Sequence, residues 1–115
     1  IANPRLAPYG QAAQETLRAL ELWNIAEPKL VRGESIGQAY QFVASGNAEL
    51  GFIARSQLQP DQGSDWPVPA TLHQPVDQQL VRLRDTDATR EFADFMRSTA
   101  AQNGILAAGY LIPGD

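Results

Sequence analysis

Cysteine is missing from this 115-residue chain. Its absence excludes disulfides, thiolate metal sites and a cysteine nucleophile, and leaves the compartment open. Excess positive charge is missing too: nine Lys and Arg stand against thirteen Asp and Glu, for a formal net charge of −4. Nucleic acid and anionic membrane surfaces both favour a basic face, so neither is an expected partner. A small anion stays possible, because backbone N–H groups can hold one without net positive charge. No apolar run is long enough to cross a bilayer as a helix. Histidine occurs once, as His73, with no nucleophile beside it. Ser35, Ser45, Ser56, Ser64 and Ser98 have no G-x-S-x-G or S-x-x-K setting. The carboxylates are scattered over caps and helix exteriors, and metal-ligand spacing is absent. Gly33 and Gly37 are spaced G-x-x-x-G without a following G-K-[ST]. Neither an enzyme, a nucleotide loop nor a cation site is expected. There is no initiator Met: the chain opens Ile1-Ala2-Asn3-Pro4, the tail of a strand, and reads as a piece of a longer protein.

Hydrophobic residues make up 43% and charged residues 19%, a globular balance with room for one modest core. The organising stretch is Lys29 to Ser56, which reads as strand, tight turn, helix, turn and strand. Ile36, Ala39, Tyr40 and Val43 fall at i, i+3, i+4 and i+7 and form one apolar stripe. Ser45-Gly46-Asn47 has the chemistry of a helix end, and Leu50-Gly51-Phe52-Ile53-Ala54 suits a strand buried on both faces. Together these predict a right-handed βαβ unit. Upstream, Pro8-Tyr9-Gly10 opens a helix through about Glu21, with Ala13, Thr16, Leu17 and Leu20 inward and Gln11, Gln14, Glu15 and Arg18 toward water. Trp23 reads as a core plug in the following loop. Residues 56–70 are a Pro-, Gln- and Gly-rich surface loop in which Trp66 packs. Residues 75–84 are a last, irregular strand. Asp85-Thr86-Asp87 caps a helix from Ala88 to about Thr99 with Ala88, Phe92, Phe95, Met96 and Thr99 inward. A shorter helix, residues 100–108, ends at Gly109, and an apolar tail follows. The expected architecture is α/β, a small sheet with helices on both faces.

Two helix starts then stand out, Pro8-Tyr9-Gly10-Gln11 and Glu34-Ser35-Ile36-Gly37-Gln38, both on the carboxyl edge of the expected sheet. Each offers N–H donors and the positive end of a helix dipole, a suitable seat for an anion. The same two starts are also what any α/β domain would have, and Ser35 either caps its helix or touches a ligand.

The runs Asn3-Pro4-Arg5-Leu6-Ala7-Pro8-Tyr9-Gly10, Gly33-Glu34-Ser35-Ile36-Gly37-Gln38-Ala39, residues 45–54 (S-G-N-A-E-L-G-F-I-A) and Ala107-Ala108-Gly109-Tyr110 closely resemble the periplasmic molybdate-binding proteins of ABC transporters, the ModA family. The resemblance covers nearly the whole chain in order. It implies one lobe of a type II periplasmic binding-protein fold, with residues 1–84 as the second lobe and 85–115 as a helical segment packing toward a first lobe that is not in this sequence. It implies an oxyanion site of Tyr9, Gly10, Ser35 and Ile36, with the Tyr9 side chain and the Ile36 N–H as donors. Some relatives place a third contact, a tyrosine, where this chain has Ala54. It further implies molybdate or tungstate as ligand with no cofactor, a periplasmic location, and two kinds of partner: a membrane ABC permease, and the first lobe or a second chain. Another oxyanion (sulfate or phosphate) and the sensing domain of a transcriptional regulator are the alternatives. A lone chain of this kind, with its apolar tail and sheet edge bare, is expected to associate.

Overall fold

A computed structural model describes residues 1–113, so Gly114 and Asp115, the end of the expected helical segment, lie outside the described residues. The chain divides into two units, Ile1–Asp77 and Gln78–Asp115.

The first unit begins with a short parallel pairing. Ala2 bridges Gly33; Asn3 N–H donates to the Gly33 carbonyl at 2.6 Å, Gly33 N–H to Ile1 at 2.9 Å, and Ile1 N to Val31 at 2.9 Å. Helix α1, Pro8–Ala19, follows the first segment, with Pro8 at its first position where no N–H is needed. The lead-in is held by Asn3: its carbonyl accepts from Leu6 and Ala7, and its side chain accepts from Arg5 N–H at 3.0 Å. Helix α1 ends in a Schellman motif. Leu22 N–H reaches the Leu17 carbonyl at 2.8 Å and Glu21 N–H the Arg18 carbonyl at 2.9 Å, with Glu21 in the left-handed region at φ 59°.

One turn of helix, α2, Trp23–Ala26, stands where a loop was expected, and a 3-10 turn, Glu27–Lys29, completes the connection. Helix α3, Ile36–Ala44, matches the predicted stripe and ends at Gly46, φ 78°. Core positions are Ala2, Ala13, Thr16, Leu17, Ala39 and Ala54. The Thr16 hydroxyl is satisfied by the Ala12 carbonyl at 2.8 Å, so its burial leaves no polar group unpaired.

In the second unit, α4, Asp87–Met96, and α5, Thr99–Ala107, are capped by the Thr86 and Ser98 side chains. Gly109, φ 92°, closes α5 as expected. Arg90 donates two hydrogen bonds to Asp85, at 2.8 and 3.0 Å, and this holds the Asp85 carboxyl below its ordinary range.

Several expectations need correction. The expected sheet is not seen: among the described residues the only β pairing is the Ala2–Gly33 bridge. Residues 51–54 and 75–83 carry no regular secondary structure and no ladder, and Leu50 lies in a bend. A strand needs a neighbour to satisfy its backbone, and a periodic apolar pattern does not supply one. Accordingly Leu50, expected inside on both faces, is 80% exposed, and Ala54 alone of that run is buried. Trp23 is not a core plug. It is half-buried, with the Arg18 guanidinium 5.4 Å from its ring centroid, a cation–π contact. Leu20 is exposed because it is the C-cap, past the last helical turn. Gln14 and Glu15 are half-buried, Glu15 because it accepts the Gln74 N–H at 2.7 Å. Trp66 is 60% exposed rather than packed. Helix α4 stops three residues early, at Met96, because Ser98 is the cap of the next helix, and Phe92 and Phe95 of its expected inner stripe are exposed.

Candidate functional site

Both long helices of the first unit leave the same end of the Ala2–Gly33 pairing. The two paired segments are parallel, and each turns into a helix a few residues beyond the pair, so the N-termini of α1 and α3 lie at one edge. Two glycines make this close fit possible. An ideal Cβ on Gly10 would overlap the Ala2 carbonyl oxygen, so α1 rests directly on the backbone of the first segment. A Cβ on Gly33 would lie 2.8 Å from Ala39 N and 3.1 Å from the Ser35 carbonyl, so the first turn of α3 folds back onto its own lead-in. The sequence signals P-Y-G and R-G-E-S thus have a steric cause within the chain.

At the α3 start, Ser35 is the N-cap, and its hydroxyl oxygen accepts Gln38 N–H at 3.2 Å. Gln38 reaches back so that its Oε1 accepts the N–H of Glu34, the residue before the cap, at 2.7 Å. The N–H groups of Ile36 and Gly37 come first in the helix, ahead of any intrahelical acceptor. Gly37, unlike Gly10 and Gly33, is open: a Cβ there would meet nothing closer than Ser35 Oγ at 3.7 Å. At the α1 start, Gly10 N–H donates to the Ala7 carbonyl at 3.0 Å, and Tyr9 is half-buried. Of the four residues singled out by sequence, then, Tyr9 and Gly10 lie in the first turn of α1 and Ser35 and Ile36 at the start of α3, on one edge. Ser35 is engaged as a cap, and Gly10 carries a packing role.

One residue at this edge carried no sequence signal. Gln57 accepts Ala54 N–H at 2.9 Å with Oε1 and donates from Nε2 to the Ile36 carbonyl at 3.2 Å. A Gln three residues after a Ser or Thr would have suggested a capping box; here the cap position is Ala54, which has no side-chain oxygen. Two surface depressions are found in the first unit. The larger, about 600 Å³, is lined by Arg18, Glu21, Trp23 and Asn24 near the end of α1. The smaller, about 240 Å³, runs along its flank between Pro8, Gln11, Ala12, Glu15 and residues 74–77. Neither is lined by Tyr9, Ser35 or Ile36. Among the described residues no cluster of His, Cys, Asp or Glu could hold a metal ion.

Comparison with known proteins gives this edge its context. Residues 1–111 match the family model for bacterial extracellular solute-binding proteins. The chain is 46% identical over 117 residues to the molybdate-binding protein ModA of Azotobacter vinelandii, an alignment covering 96% of this chain and 46% of the relative. It is 43% identical over 115 residues to ModA of Rhodobacter capsulatus, with the same coverage. The solved Azotobacter vinelandii periplasmic molybdate-binding protein superimposes with a TM-score of 0.91 at 36% identity, over 99% of this chain and 53% of that one. The chain therefore spans about half the length of the relatives it matches. By their names these relatives are binding proteins rather than enzymes, and the one bound species named is molybdate.

Proposed function

Because this chain belongs to the bacterial extracellular solute-binding protein family, we propose that it is the second lobe of a periplasmic protein that binds molybdate or tungstate and delivers it to an ABC transporter. The observation carrying this reading is the shared edge of α1 and α3, made by parallel pairing at Ala2–Gly33, in a chain 46% identical to a molybdate-binding protein. Two helix N-termini converging from adjacent segments suit a tetrahedral dianion, since each adds about half a positive elementary charge without a mobile cation.

In this reading Tyr9 donates its hydroxyl and Ile36 its backbone N–H to the oxyanion. Gly10 lets the first turn of α1 sit low enough to reach it, and Ser35 holds the α3 start in place. The donors are neutral, so the dianion exchanges its hydration shell for oriented dipoles. Selectivity over sulfate then comes from cavity size, because sulfate offers the same four acceptors on a smaller frame. Ala54 contributes no hydroxyl. The remaining donors come from the first lobe, which the relatives' greater length provides for. Residues 1–84 form the second lobe and residues 85–115 pack toward the first. The lobes close on the ligand, and the closed form docks on the membrane permease in the periplasm. No cofactor takes part.

The test is isothermal titration calorimetry of the full-length protein with molybdate, tungstate, sulfate and phosphate. Tight heat with molybdate and tungstate and none with sulfate is expected. Silence toward both large oxyanions would refute the reading, and tight sulfate or phosphate binding would reassign the ligand.

A further inference from the structure

We propose that the Gly37 N–H is a further donor to the oxyanion, beside the Ile36 N–H, and that Gln57 is its positioning residue, acting through the peptide between Ile36 and Gly37; this rests on the functional reading above. Gln57 is 21 residues from Ile36 in sequence, yet its amide Nε2 donates to the Ile36 carbonyl at 3.2 Å while its Oε1 accepts Ala54 N–H at 2.9 Å. Its own N–H donates to the Ala54 carbonyl at 2.9 Å, which closes the 3-10 turn Arg55–Gln57 and anchors the side chain at its base. Ala54 is itself in the core, so the anchor is fixed.

The consequence follows from peptide planarity. In a trans peptide the carbonyl of one residue and the N–H of the next are locked antiparallel. Fixing the Ile36 carbonyl fixes the direction of the Gly37 N–H. That N–H is one of the two α3 donors ahead of any intrahelical acceptor, and the missing Cβ of Gly37 leaves its approach clear. The chain thus uses a side chain from the segment after residue 54 to aim a donor of α3. At neutral pH a carboxamide meets this need, because the same group must accept from Ala54 and donate to Ile36. A leucine of similar length does neither. An ionised glutamate accepts from Ala54 but opposes the Ile36 carbonyl and adds negative charge beside a dianion. A protonated glutamate can donate again.

The experiment uses full-length protein carrying Gln57→Leu or Gln57→Glu, with molybdate as the probe. In ligand-free protein, the Gly37 amide cross-peak in a 15N–1H NMR spectrum should move in both variants while that of Ala13, in the middle of α1, stays. Molybdate affinity should fall about tenfold in Gln57→Leu, the loss of one well-aligned bond. Gln57→Glu should bind more weakly still at neutral pH. Expressed as a ratio to wild type at the same pH, it should then recover as the pH is lowered through about 4, the ordinary glutamate range, and the carboxyl protonates. A role in stability alone would lower the melting temperature of both variants without that recovery. An unmoved Gly37 cross-peak, or unchanged affinity in both variants, would overturn the proposal. If wild-type protein ignored molybdate, the functional reading would fall, and the ligand-free Gly37 shift would still decide whether Gln57 aims that peptide.

Discussion

The two units of this chain are built with the same local devices and differ in what those devices bury. In Ile1–Asp77, Ser35 caps a helix, glycines let backbone approach backbone, and Ala13, Leu17 and Ala39 are sealed from water. In Gln78–Asp115, Thr86 and Ser98 cap helices equally well and Gly109 closes one, but no described residue is buried; Phe95 is 54% exposed and Leu111 88%. Capping and helix periodicity are local and act wherever the residues occur. Burial is not local, and it awaits a surface. The chain spans about half the length of the relatives it matches.

The largest expected effect sharpens the comparison from the buried side. Gly10→Val would drive a branched side chain into the Ala2 carbonyl. Urea unfolding of the full-length protein should show a loss of about 3 kcal/mol or more, as for a severe overpacking change. A loss under about 1 kcal/mol would mean that α1 does not rest on the first segment.

Next come two truncations that could erase the difference between the units. Leu17→Ala should cost about 2–4 kcal/mol, since Leu17 is enclosed. Phe95→Ala would cost little for a side chain that stays half in water. If the α4 face meets another lobe in the full-length protein, as proposed above, it should instead cost about 3 kcal/mol there. Near-neutral Phe95→Ala by the same unfolding measurement would show that the face stays bare.

Caps should behave alike in both units. Ser35→Ala and Ser98→Ala each remove a hydroxyl that accepts a backbone N–H at 3.2 Å. Each should cost about 1 kcal/mol, and unequal losses would mean that tertiary context reaches into one of the caps.

The smallest effect concerns acid. Arg90 holds the Asp85 carboxyl below its ordinary range. The sign follows: a depressed folded value means that the contribution is complete above the ordinary carboxylate value and is lost as pH falls through the folded one. Asp85 is exposed, so the effect is slight. A stability–pH profile of Asp85→Asn should be marginally flatter than wild type at low pH. Indistinguishable profiles would show that the pair contributes nothing.

How much of this was legible in the sequence divides along the same line. The starts of α1 and α3 and the glycine ends at Gly46 and Gly109 could be read, because each depends on residues within a few positions. The pairing of Ala2 with Gly33 was implicit in two helix starts each following an apolar lead-in. The sheet is not confirmed, because alternation and apolar runs record a tendency to be buried, whereas a strand exists only beside its neighbour. Leu50 has the composition of an inner-strand residue and meets water all the same. Trp23 was misread because the Schellman turn at Glu21, in a left-handed conformation without glycine, gives no compositional cue. The site residues were singled out by helix-start chemistry and by resemblance. Gln57 stayed hidden, since a bond spanning 21 residues from an unremarkable glutamine leaves no pattern.

The most direct test of the central claim, that the paired starts of α1 and α3 hold the oxyanion, is a 15N–1H NMR titration of the full-length protein with molybdate. The account predicts that the amides of Tyr9, Gly10, Ile36 and Gly37 shift on binding, while those along the exposed face of α4 do not follow the same saturation with comparable size. Saturable binding that leaves Ile36 and Gly37 unmoved would contradict it.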